Sequence, residues 1–163
     1  MRQSEAVGKF GEYFITMMLQ NFSYETDLVD AAGIDLMAYR KKPDSFERYG
    51  ISVKTRNAYD QPNNSLLLKW NDVVYTHEQS VLRGAIPAYA IVWNSNNRID
   101  ILIITHDYLL KKRGYESIDD FRTQSTKQNT LSVSTSQKSR DEWILMYQNK
   151  TPGVIFAAKY VAE

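Results

Sequence analysis

Gly33-Ile34-Asp35-Leu36-Met37-Ala38-Tyr39 and, after a charged break, Gly50-Ile51-Ser52-Val53-Lys54-Thr55-Arg56 are the two segments whose reading decides the fold. Both read as strands, opened by glycine and dominated by large or β-branched side chains, with residues 40–49 expected as a charged loop between them. Strand side chains alternate, so Asp35, Met37 and Tyr39 share one face while Ile34, Leu36 and Ala38 share the other. On the second strand Ile51 and Val53 fall together, and Ser52, Lys54 and Arg56 fall opposite. An acid near the start of one strand and a lysine within its neighbour are the minimum for a metal-assisted phosphate site. The plainer alternative is that Asp35 caps the turn after Gly33 while Lys54 runs its stem over apolar surface to water.

Working backwards, Ser4 is expected to cap a first helix over residues 5–21. Val7, Phe10, Phe14, Met17 and Met18 gather on one side at helical spacing and are expected to form its buried face. Gly8 and Gly11 each cost about 1 kcal/mol relative to alanine inside a helix, which suggests a close approach to another backbone. Glu12 falls at the margin of the apolar face, where a solvated flank residue is the simple reading. A strand over residues 23–29 completes a three-stranded antiparallel meander.

Working forwards, residues 57–65 read as a loop and residues 66–70 as a short strand or a helix approach. Asn71 or Asp72 is expected to cap a helix ending at Gly84. Residues 87–94 form an apolar strand buried on both faces, with Tyr89 and Trp93 in the core. This strand makes a hairpin with residues 99–105. Thr105 caps a short helix over residues 106–113, and a helical turn is expected around residues 118–122. The polar segment 123–139 contains one strand candidate at residues 131–134. Ser139 is expected to cap a helix to residue 148, and residues 154–161 form the last strand. The order describes an α+β or mixed α/β fold in a single domain spanning residues 1–163.

Composition bounds the function loosely. The chain has 163 residues, a net charge of +1 and no cysteine, which excludes disulfides and thiolate metal sites. No apolar run approaches the ~20 residues that cross a bilayer, and the N-terminus lacks a signal-peptide core, so a soluble cytoplasmic protein with no membrane partner is expected. Near-neutral charge still permits a local basic patch to bind nucleic acid. No phosphate-binding glycine loop, zincin motif or calcium loop is present. His77 and His106 form no triad order with Ser and Asp, and a structural role is expected for His106.

Gly11-Glu12 in the first helix, Gly33-Ile34-Asp35-Leu36, and Ile51-Ser52-Val53-Lys54-Thr55 together resemble the core of the PD-(D/E)XK nucleases, which include many restriction endonucleases and archaeal Holliday-junction resolvases. The resemblance covers residues 4–56. It implies a restriction-endonuclease-like core, a central mixed sheet flanked by helices. It also implies metal-dependent hydrolysis of DNA phosphodiester bonds with Mg²⁺ or Mn²⁺. Asp35 would be a metal ligand, Lys54 the catalytic lysine, Val53 a carbonyl ligand and Glu12 an additional helix carboxylate. One departure stands out: Ser52 occupies the position where this family has Glu, Asp or sometimes Gln. Glu12 is the expected substitute, with Glu25, Asp27 and Asp30 behind it, and Ser52 is expected to hydrogen-bond in place of a ligand.

Arg56, on the Lys54 face, and Lys41 and Lys42 are expected to touch nucleic acid, and the polar segment 123–138 to flank the same groove. Solvated loops are the alternative for the last three. Enzymes cutting both strands commonly act as dimers, so a homodimer is compatible with the reading. The competing function is a catalytically inactive member of the fold that binds nucleic acid or a protein partner.

Overall fold

The computed structural model describes residues 3–58, 64–124 and 130–163. In chain order the elements are α1 (Gln3–Asn21), β1 (Glu25–Ala31), β2 (Ile34–Lys42), β3 (Ser45–Asn57), β4 (Ser65–Lys69), α2 (Trp70–Leu82), β5 (Ile86–Ser95) and β6 (Arg98–Thr105). They are followed by α3 (His106–Lys112), α4 (Ile118–Gln124), β7 (Thr130–Ser134), α5 (Gln137–Gln148) and β8 (Val154–Val161). Six strands form one mixed sheet in the order β1-β2-β3-β5-β6-β8, and β4 and β7 form a separate antiparallel pair. Every neighbour in the large sheet is antiparallel except β3 and β5, which run parallel. A parallel neighbour requires a crossover, and here β4 and α2 supply it. The mixed α/β architecture agrees with the sequence reading.

Residues 40–49 correct that reading. They are not a loop: β2 runs on to Lys42, and β3 begins at Ser45, in a tight hairpin. Arg40 stands directly across from Glu47 in the ladder and pairs with it at 2.9 Å, while Lys42 meets the same carboxylate at 2.6 Å. Opposite charges across two strands stabilise a polar hairpin, so a run of charge need not mean a loop. Three caps also move. Ser4 lies inside α1, Asn71 and Asp72 lie in the first turn of α2, and the α5 cap is Ser136, whose Oγ accepts from Ser139 N at 3.2 Å. Thr105 does cap α3. Of the expected polar segments, residues 59–63 and 125–129 lie outside the described residues.

β5 is buried on both sides, as its unbroken apolar run requires. Ala88, Ala90 and Val92 face Ile15, Met18 and Leu19 of α1, while Tyr89 and Ile91 face Val73 and Val74 of α2 together with α3, α4 and β4/β7 residues. The sheet is thus covered on both faces. The buried seam of α1 is Gly11, Ile15, Met18 and Leu19. The expected face was only partly right, because Phe10 and Met17 remain 46% and 49% exposed. Among the described residues, no helix is long and apolar enough to cross a membrane.

Candidate active site

The candidate site forms where β2 and β3 part. Their ladder ends at Leu36 opposite Ile51, and the next pair in register would be Asp35 and Ser52. Instead, the Asp35 carboxylate takes the place of a strand partner: its Oδ2 accepts the Val53 backbone N–H at 2.6 Å. An extended residue presents N–H and C=O to the same edge, so the Val53 carbonyl leaves β3 on the Asp35 side. Ser52 is buried beside the Asp35 side chain. Burial pushes the Asp35 pKa above the ordinary value, partly offset by the Val53 N–H, Lys54 and Ser52.

Two helices bring further charge to this fork. α1 lies on β3 at Gly11, where an added Cβ would overlap Thr55 Oγ1. That close approach carries Glu12, the next residue, to the fork. The Glu12 pKa is raised, first by burial and then by Asp35, with Lys9 opposing. From the opposite face comes α2. It is seated by Gly33, whose positive φ of 94° and lack of a Cβ let β2 begin against the Tyr75–Thr76 backbone. Thr76 Oγ1 lies 2.8 Å from Gly33 O and 2.7 Å from Asp72 O, tying the first turns of α2 to that point. Asp72 then meets Lys54, Oδ1 to Nζ, at 3.6 Å.

Asp35, Ser52, Val53, Lys54 and Glu12 are therefore near neighbours, and Asp72 joins them. Asp72 is absent from the sequence reading, which placed it as a cap. The only local signal was an acid in the first turn of a helix, which macrodipole arguments alone explain. Arg56 stays at the same strand end, its Nη1 donating to Thr55 O at 2.8 Å. Lys41 and Lys42 are elsewhere. They stand at the β2–β3 hairpin tip, six or seven residues along β2 from Asp35, or roughly 20 Å at ~3.4 Å per residue. Lys42 lines a cleft of about 490 Å³ at that far end, with Arg40, Glu47 and Tyr24. Glu25 and Asp27 pair across from Tyr39 and Met37 on the outer strand β1, and Asp30 sits at the β1 bulge. None of the three takes the place of the missing acid in the contacts around Asp35.

His106 has the structural role expected: its Nε2 lies 3.1 Å from Val73 O, and burial depresses its pKa to about 4. Its ring stands 5.9 Å from that of His77. Among the described residues no three His, Asp or Glu side chains are assembled as a metal-binding group. Glu12, Asp35 and Asp72 nevertheless supply hard carboxylate oxygens, the donor type Mg²⁺ and Mn²⁺ take. Two of them have raised pKa values, chiefly because burial disfavours the charged form.

No protein-family model matches this sequence, and no curated protein matches it. Among solved structures it is similar to Hjc, a Holliday junction resolvase from the archaeal hyperthermophile Archaeoglobus fulgidus. The TM-score is 0.51 at 12% identity, over 83% of this chain and 88% of that one. At that identity the likeness shows the fold alone: this chain shares the mixed α/β fold of that protein.

Proposed function

We propose that this chain is a metal-dependent nuclease that hydrolyses DNA phosphodiester bonds at the β2–β3 fork. The observation carrying the reading is the convergence of Asp35 and Asp72 on Lys54, with Glu12 beside Asp35, at an edge where a backbone carbonyl is also available. Asp35, Glu12 and the Val53 carbonyl would hold Mg²⁺ or Mn²⁺. When bound, the cation supplies Lewis acidity to the phosphate and a stronger water nucleophile. Lys54 orients water and offsets charge developing on the phosphate, while Asp72 fixes the ammonium from the far side. The Val53 N–H holds Asp35 in place with Ser52 packed beside it, and Arg56 steadies a neighbouring phosphate of the strand.

Cleavage of supercoiled, linear and branched DNA with Mg²⁺ or Mn²⁺ tests this directly. Asp35→Ala and Lys54→Ala should each lower the rate by about 10²-fold or more. Asp72→Ala should lower it as well, and more than Ser52→Ala. Cutting that survives both Asp35→Ala and Lys54→Ala removes the site from consideration.

One observation favours a second reading: the absence, among the described residues, of a ready three-residue metal group. A catalytically silent protein of this fold would bind DNA in a salt-sensitive manner without cutting it. Calorimetry separates the two, since heat on adding Mn²⁺ that disappears in Asp35→Ala belongs to the nuclease only.

A further inference from the structure

The cleft at the far end of β2 from the fork is lined by Arg40, Lys42 and Glu47 of the β2–β3 hairpin, by Tyr24 after α1 and by Lys150 after α5. Its charge is unbalanced. Glu47 has both oxygens engaged, Oε2 by Arg40 at 2.9 Å and Oε1 by Lys42 at 2.6 Å. Burial works against its charge, yet Lys42 and Arg40 outweigh burial and hold its pKa below the ordinary value. The ionised carboxylate therefore fixes both cations in place, and the Arg40 guanidinium also lies over the Tyr24 ring at 4.5 Å. Two cations on one acid leave one positive charge. Lys150 adds a second, exposed and, among the described residues, without an acidic partner.

The backbone singles out the same place. Among the described residues two that are not glycine have positive φ: Ser23 at 65°, directly before Tyr24, and Lys150 at 53°. Helices α1 and α5 close there in the same way, Tyr24 N donating to Leu19 O at 3.0 Å and Thr151 N to Met146 O at 3.0 Å. That closure ordinarily takes glycine at the left-handed position. At Lys150 a long cation occupies it instead. Attraction to the helix dipole does not account for this, because the last turn of α5, where a cation meets no backbone penalty, holds none. A lysine at a position that favours glycine points to a use for its ammonium.

We propose that this cleft binds a small phosphomonoester of mononucleotide size, its phosphate dianion held by Arg40, Lys42 and Lys150. Two uncompensated positive charges match a dianion, whereas a phosphate of the DNA backbone is a diester with a single charge. A guanidinium fork and lysine ammoniums are the donors that phosphate oxygens take. The volume of about 490 Å³ exceeds what a bare ion fills and lies within the ~300–1,000 Å³ of small-molecule sites. Tyr147 and Ile155 supply apolar wall for the organic part of the ligand. The proposal does not rest on the nuclease reading.

The test is calorimetry with thymidine 5′-monophosphate, in EDTA so that no divalent cation is present, and above pH ~6, where the second phosphate proton is lost. One molecule should bind per chain. Thymidine, which lacks the phosphate, and the diester thymidylyl-thymidine should give no heat. Lys150→Gly and Lys42→Gln should each weaken the affinity by about tenfold. Lys150→Gly should also melt no lower than wild type, since glycine suits the backbone there, so a folding defect does not explain its loss of binding. Lys54→Ala should bind as wild type does. Absence of heat with millimolar monophosphate, equal binding of thymidine or of the diester, or an affinity unmoved by Lys150→Gly overturns the proposal. Binding lost in Lys54→Ala also overturns it and assigns the ligand to the fork.

Discussion

Ionised Asp35 is disfavoured where it sits, and the consequence is measurable. Burial is the largest influence on its pKa and raises it, with Asp72 adding to the rise. The folded protein therefore holds this proton more tightly than the unfolded chain does. The contribution of this group to stability is greatest below the ordinary carboxylate range and is lost as pH rises through the folded pKa. Asp35→Asn removes that loss while keeping an oxygen to accept the Val53 N–H. The metal-free variant should melt above wild type at neutral pH, and the gap should close on acidification. A variant that melts lower at neutral pH would contradict the account. Wild type, but not the variant, should gain melting temperature on adding Mn²⁺. Strand periodicity gave Asp35 and Lys54 each a definite face but left their pairing open, and the resemblance supplied it. Asp72 was not, since its approach to Lys54 depends on where a crossover helix lands.

At the scale of the element, α1 shows why amphipathic periodicity can name the wrong face. Hydrophobicity favours Phe10 and Met17, yet the closest contact with the sheet is at Gly11, which contributes no apolar side chain at all. Its value lies in what it lacks. Gly8, paired with it in the sequence reading, has open space around it. Gly11→Val should thus destabilise by about 1–3 kcal/mol as α1 is pushed from Thr55, while Gly8→Ala should be neutral or stabilising. Denaturant titration of the two variants checks both signs. The misread hairpin has a related cause: Arg40, Lys42 and Glu47 look like loop residues singly and become cross-strand partners only when paired.

Across the whole molecule, two buried groups outside the fork bear on stability. Asp100 of β6 is fully buried between Arg98, at 2.6 Å, and Arg140 of α5. Asp100→Ala takes the carboxylate from Arg140 and leaves Arg98 only its exposed partner Asp141, and should cost about 3–5 kcal/mol, far more than breaking an exposed pair such as Lys111–Asp107. Chemical denaturation compares them. His106 stays neutral because burial lowers its pKa from 6.5 to about 4. The unfolded chain takes up that proton first, so stability should fall as pH drops from 6.5 towards 4. His106→Gln should flatten this part of the profile. Neither position stands out in the sequence, because a buried acid between two arginines and a buried histidine both need tertiary partners to be seen. The meander, by contrast, was readable from short spacings alone.

The parallel joint between β3 and β5 has a bearing on time rather than space. The two strands pair residue 49 with residue 86 and residue 57 with residue 94, so their ladder closes over a long intervening segment. Contacts of that kind form late, after the local hairpins have already cost the chain its freedom. The β2–β3 hairpin can assemble early and present Asp35 beside Lys54. Asp72 joins only when the crossover docks. Protein synthesis therefore delivers the acid and the lysine well before their third partner, and an unfinished chain holds an incomplete fork.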